Sequence, residues 1–153
     1  MSVGLNVDSV TPTPVNGDCF YNAVIESLSL TNRPYLGAVH VLRYEVVSYV
    51  DRNRNSDMVE TYLGSIVDSE VTDIENIIQI QYCCGRPVIE LFLKAAAEQL
   101  NIIILITNEN SSTSYPYIEF WPRGYIHCSR SSFTTILLGH FNGHFQSLKL
   151  HSE

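Results

Sequence analysis

The sequence has little positive charge. Nine Lys and Arg residues stand against sixteen Asp and Glu, which gives a formal net charge of −7 over 153 residues. A nucleic-acid-binding domain normally carries a basic face, so this balance argues against nucleic acid as a partner. It suits a partner that presents basic groups, although many proteins are mildly acidic without a functional reason.

The sequence also lacks a long apolar run and a recognisable secretory signal. The strongest apolar run, Ile102–Ile106, is far too short to cross a bilayer. Residues 1–6 contain no basic segment that leads into an apolar one. We therefore expect a monomeric cytoplasmic protein without a membrane partner. With 45% apolar residues, the chain can form one domain over residues 1–153.

Cysteines and histidines in a metal-binding arrangement are missing as well. No C-x-x-C pair occurs among the four cysteines, Cys19, Cys83, Cys84 and Cys128. This spacing predicts reduced thiols and no structural zinc site. His140 and His144 have the H-x-x-x-H spacing, but that spacing binds zinc on a helix, and a turn is predicted between them. We expect neither a metal nor an organic cofactor.

Apolar residues recur at helical intervals in the first two thirds of the chain. Residues 1–11 read as an extended lead-in, and Asp18 is predicted to cap the first helix. The periodicity then predicts helices over 19–30 and over about 35–52, 56–67, 70–81 and 87–100. Pro87 suits the first turn of the last of these helices.

The period changes after residue 101. The run Ile102–Ile106 is typical of a strand buried on both faces. Further strands are predicted over 117–121, 125–128, 133–141 and 144–150, the last two joined by a hairpin at Asn142-Gly143. The predicted fold class is α+β, with a helical N-terminal part packed on a small, mostly antiparallel C-terminal sheet.

Cys19 and His144 are the candidate catalytic pair. Cys19 begins a helix, where backbone N–H groups and the positive helix end favour a thiolate, although an isolated Cys is more often a core residue. His144 begins a strand, and period two places Gln146 on the same side. A thiol, a base and a polar group that orients the base are the parts of a cysteine protease. His127 beside Cys128 is incidental, because neighbouring strand residues point to opposite faces.

Three blocks of the sequence resemble motifs of the ovarian-tumour (OTU) family of cysteine proteases, in the family's order. They are Asn16–Ala23, the stretch Cys84-Gly85-Arg86 followed by Glu90–Ala95, and His144–Leu148. The resemblance implies an OTU-like fold, Cys19 as nucleophile and His144 as base. It also implies an oxyanion site formed by the backbone N–H groups of Asn16, Gly17, Asp18 and Cys19.

The sequence departs from the family pattern at several positions. Asp18 stands where the family usually has Asn, and Asn16 where it usually has Asp. Gln146 replaces the usual Asp or Asn as the predicted orienting residue, with Asn16 as the second candidate for that role. This divergence and the compact size resemble viral or intracellular-bacterial members, and a viral protein of this kind would act in the host cytoplasm.

The resemblance implies a deubiquitinase that hydrolyses the isopeptide bond after the C-terminal Gly of ubiquitin. Ubiquitin and ubiquitin-conjugated proteins are then the expected partners, with ubiquitin-like modifiers as further candidates. One alternative is a protease that cleaves polyprotein junctions with the same residues. Another is an OTU-like module that binds ubiquitin with little turnover. The presence of both Cys19 and His144 argues against that module.

Overall fold

The computed structural model describes residues 7–11, 18–64, 74–83, 90–108, 117–122, 132–141 and 144–150. The helices in these residues are α1 (Cys19–Ser29), α2 (Val39–Arg52), α3 (Asp57–Gly64), α4 (Ile74–Cys83) and α5 (Glu90–Leu100). The strands are β1 (Val7–Thr11), β2 (Ile103–Asn108), β3 (Ile118–Phe120), β4 (Thr135–Phe141) and β5 (His144–Leu150). The predicted α+β class is confirmed. None of the described helices is long and apolar enough to span a membrane.

The strands form one sheet in the order β1-β5-β4-β2-β3. The predicted hairpin is confirmed, since β4 and β5 pair antiparallel with Phe141 opposite His144. The β1–β5 and β2–β3 pairs are antiparallel too, whereas β2 and β4 are parallel. The sheet is therefore mostly antiparallel, as predicted, but mixed. The lead-in prediction missed that Val7–Thr11 is a strand of this sheet.

Strand β2 is buried on both faces, as its aliphatic run predicts. Ile104 and Ile106 lie on the face that the helices cover, while Ile103 and Leu105 lie on the opposite face. The opposite face is completed by Leu137 and Leu148 and is covered by partly buried aromatic side chains from Tyr117, Trp121 and Phe133. The sheet thus separates a large helical core from a smaller second cluster.

The helix boundaries differ from the prediction mainly at α2. That helix begins at Val39 and not near residue 35, because Ala38 is still extended, with ψ of 165°. Helix α5 ends at Leu100, and the positive φ of 56° at the next residue, Asn101, reverses the chain. The Ile102 N–H then bonds to the Ala97 carbonyl, a Schellman ending that leads directly into β2. The first-turn role predicted for Pro87 and the strand predicted over 125–128 lie outside the described residues.

Candidate active site

Helix α1 packs along strand β5. The Oγ atoms of Ser27 and Ser147 lie 2.7 Å apart, and both side chains are buried. At the other end of the helix, the rings of Phe20 and Phe145 meet edge to face, with centroids 5.1 Å apart. These contacts bring the N-terminus of α1 to the start of β5, where Cys19 and His144 stand.

The Cys19 thiol lies against the main chain of β5. Its Sγ accepts a hydrogen bond from the Phe145 N–H at 3.5 Å, and the residue is only 9% exposed. Because strand N–H groups point within the plane of a sheet, the thiol lies alongside the edge of β5 and not over a face. Within the described residues, β1 pairs with β5 as far as Thr11 opposite Ser147, two residues away from the contact of Phe145 with the thiol.

His144 is joined to Phe145 by a peptide bond, so its side chain starts a few covalent bonds from the N–H that contacts the thiol. The strand register places His144 and Gln146 on the face opposite to Phe145. A thiol at the strand edge is within reach of a side chain from either face. The geometry is therefore compatible with a Cys19–His144 pair that Gln146 orients, and these three roles stay predictions.

Strand β4, which pairs with β5 in the hairpin, carries a second imidazole near Phe145. His140 lies directly opposite Phe145, and the two rings stack with centroids 4.0 Å apart and planes 3° from parallel. His140 and His144 lie on opposite faces of the sheet, so they do not form a shared ligand pair. Within the described stretches, no group of at least three His, Cys, Asp or Glu side chains is arranged to hold a metal ion.

The prediction that the Asp18 side chain caps α1 is wrong. Asp18 occupies the N-cap position, but its carboxylate makes no capping hydrogen bond and instead forms an ion pair with Arg43 of α2. Its carbonyl accepts the Asn22 N–H at 2.9 Å and the Asn22 Nδ2–H at 3.2 Å. The first-turn N–H groups of a helix have no acceptor within the helix itself, so this end of α1 is suited to an anion.

Two contributors to this arrangement were not predicted from the sequence, namely Arg43 and the main-chain N–H of Phe145. A signal for Arg43 exists, because it is a basic side chain next to the buried face of an amphipathic helix, between Leu42 and Val46 in the sequence. The Phe145 N–H carries no sequence signal, since every residue but Pro has one.

Several sequence predictions fall outside the described residues. Asn16 and Gly17, predicted for the oxyanion site, are among them, and so is Asn16 as the second orienting candidate. The His127 and Cys128 neighbours and the motif cysteine Cys84 also lie outside. The oxyanion assignment therefore stays a prediction, supported only by the position of Asp18 and Cys19 at the start of α1.

Solved structures of OTU domains match most of the chain. The viral OTU domain protease from Dera Ghazi Khan virus superposes with a TM-score of 0.62 at 17% identity, covering 94% of this chain and 81% of that one. The chain has the OTU-domain fold. The OTU of Hazara virus bound to ubiquitin matches with a TM-score of 0.61 at 15% identity, over 95% of this chain and 82% of that one.

The match to a bacterial OTU domain covers nearly the whole length of that domain. The OTU deubiquitinase from Wolbachia pipientis wMel bound to ubiquitin has a TM-score of 0.56 at 16% identity, over 93% of this chain and 95% of that one. No protein-family model and no curated protein matches the sequence. At these identities the likeness shows the fold, and the OTU resemblance of the sequence motifs is confirmed at that level.

Proposed function

We propose that this OTU domain is a cysteine isopeptidase that removes ubiquitin from lysine side chains. The observation that carries the proposal is the contact of the Cys19 thiol with the Phe145 N–H, one residue after His144. A thiol at a helix start beside a strand-borne histidine supplies a nucleophile and a base in one place. The residues on both sides of this contact are those of the OTU-like motifs.

In the proposed reaction His144 takes the thiol proton as Cys19 Sγ attacks the carbonyl carbon of the terminal glycine of ubiquitin. The negative charge that moves to the carbonyl oxygen is held by N–H groups of residues 16–19. Collapse of this intermediate breaks the C–N bond, and His144 protonates the departing lysine amine. Water, deprotonated by His144, then hydrolyses the thioester and frees the carboxylate of ubiquitin and the thiol.

Two observations support ubiquitin as the modifier. The Hazara virus and Wolbachia structures of the same fold are bound to ubiquitin. The formal charge of −7 suits the Arg-Leu-Arg-Gly-Gly tail that the family resemblance implies, because an acidic surface attracts its two arginines. Ubiquitin-like modifiers with a similar tail are included in the proposal as further substrates.

Hydrolysis of a fluorogenic ubiquitin C-terminal amide and of lysine-linked diubiquitin tests the proposal. We expect turnover by the parent protein and none by folded Cys19→Ala, while Cys83→Ala and Cys128→Ala retain it. Turnover that survives Cys19→Ala would overturn the nucleophile. Cleavage of linear polyprotein junctions without diubiquitin cleavage would favour a processing protease, and tight binding of ubiquitin without turnover would favour a binding module.

A further inference from the structure

An ion pair joins the residue that precedes the proposed nucleophile to helix α2. The Arg43 guanidinium contacts the Asp18 carboxylate, and the two side chains are 16% and 30% exposed. The same guanidinium lies over the ring of Tyr21, 6.0 Å from its centroid. Asn22 binds the Asp18 carbonyl from the helix side. Asp18 is thus held by α1 through its main chain and by α2 through its side chain.

A carboxylate at this place creates an electrostatic difficulty. Asp18 is bonded directly to Cys19, where the proposed reaction needs negative charge on sulfur and then on the carbonyl oxygen. A neighbouring like charge disfavours the anionic form of a group, and partial burial strengthens the effect because water screens it less. An Asn at position 18 would bring no such charge and would need no cationic partner.

We propose that Arg43 is a positioning residue that neutralises the Asp18 charge beside Cys19 and holds the Asp18 side chain at the start of α1. The role of Cys19 in this inference rests on the proposed function. Arg43 acts through Asp18 and not on the substrate. The Tyr21 ring below the guanidinium is uncharged at neutral pH, so Asp18 is the anion that Arg43 contacts here.

The contacts of the described residues connect four charged or titratable groups with the surroundings of Cys19. Asp18 precedes it on its own helix, Arg43 approaches from α2, and His144 follows on β5. His140 of β4 stacks on the ring of Phe145, the residue whose N–H contacts the thiol. Of these groups, Asp18 and Arg43 carry opposite charges across the neutral pH range, so their separate removal has opposite effects on a developing thiolate.

The test is the rate at which iodoacetamide alkylates Cys19, followed by mass spectrometry of the Cys19 peptide as pH is varied. We expect Arg43→Gln to slow alkylation about tenfold at neutral pH and to move its half-maximal rate about one pH unit upward. Asp18→Asn should react at least as fast as the parent. The double variant, which lacks both charges, should return to within about threefold of the parent, and Arg43→Lys should remain near it because it keeps the charge.

A purely structural role for Arg43 predicts a different pattern. In that case Asp18→Asn would not rescue Arg43→Gln, and the double variant would be as slow as the single one, which would overturn the inference. Alkylation of Arg43→Gln at the parent rate would overturn it as well. If Arg43→Gln does not fold, the comparison of Asp18→Asn with the double variant decides. Because Arg43 acts through Asp18, these two variants should be alkylated at rates within about threefold of each other, and a much slower double variant would overturn the inference.

Alkylation needs no ubiquitin, so the two proposals fail separately. A parent protein that does not cleave ubiquitin substrates but shows the charge-dependent alkylation pattern contradicts only the proposed function. With a fluorogenic ubiquitin amide, we expect Arg43→Gln to lower kcat about tenfold and leave KM within about twofold, since Arg43 does not touch the substrate. A rise in KM with unchanged kcat would instead assign Arg43 to substrate binding.

Discussion

Removal of either hydroxyl from the Ser27–Ser147 pair should destabilise the protein more than removal of both. The two Oγ atoms lie 2.7 Å apart between α1 and β5, with both residues buried. A single Ser→Ala change leaves the partner hydroxyl buried without its hydrogen bond, at a cost of about 1–3 kcal/mol in the free energy of unfolding. Replacement of both by Ala removes the polar groups together and is close to neutral.

The two single variants should differ, because the remaining serines stand on different elements. After Ser147→Ala, the Ser27 hydroxyl is on a helix and can donate to the Ala23 carbonyl one turn earlier, which limits the loss to about 1 kcal/mol. After Ser27→Ala, the Ser147 hydroxyl is on a strand without that local alternative, so the loss should approach about 2 kcal/mol. The coupling energy between the two positions is then about 3 kcal/mol.

Equilibrium unfolding in urea, followed by far-UV circular dichroism, measures these differences through the midpoint at constant m-value. Ser29→Ala is the matched control, since its hydroxyl bonds to the Glu26 carbonyl on the exposed side of the same helix. We expect the control to stay within about 0.5 kcal/mol of the parent. Additive losses in the double variant, or single variants as stable as Ser29→Ala, would refute the described packing of α1 on β5.

Three further predictions use steady-state hydrolysis of the fluorogenic ubiquitin amide. His144→Ala should lose at least about a hundredfold in turnover, which is the usual scale for removal of a general base. His140→Phe keeps a ring that can stack on Phe145 and should lose far less. A larger loss in His140→Phe than in His144→Ala would make His140 the base. Gln146→Ala should lose roughly tenfold to a hundredfold in turnover, and Gln146→Asp should retain activity. A Gln146→Ala variant as active as the parent would place the group that orients His144 elsewhere. Gly139→Ala would bring a Cβ within 2.5 Å of the ring of Phe141, which pairs with His144. This variant should lose activity and melt at a lower temperature, and unchanged values would contradict the described hairpin.

Local patterns were sufficient to predict most elements of the fold. The aliphatic run at Ile102–Ile106 predicted a doubly buried strand, and Asn142-Gly143 between two apolar segments predicted the β4–β5 pair. The parallel pairing of β2 with β4 was not predictable, because β3 lies between these strands in the sequence and no local turn signal connects them. The pairing of Val7–Thr11 with β5 likewise depends on contacts across nearly the whole chain.

The residues of the candidate site that belong to sequence motifs were predictable, whereas the contacts that depend on helix packing were not. Cys19 and His144 stand in short blocks whose residue types and order are recognisable in the sequence. The Asp18–Arg43 ion pair depends on how α2 lies against the start of α1, which periodicity within either helix does not determine. The same physics explains the wrong cap prediction, since a tertiary cation outcompeted the local N–H groups for the Asp18 carboxylate.

The most direct test of the account is reaction with ubiquitin that carries an electrophile at its C-terminus. The account predicts one covalent adduct per folded chain, mapped by mass spectrometry to Cys19, absent in Cys19→Ala and strongly slowed in His144→Ala. An adduct on Cys83, Cys84 or Cys128, or a folded parent protein that forms no adduct at all, would contradict it.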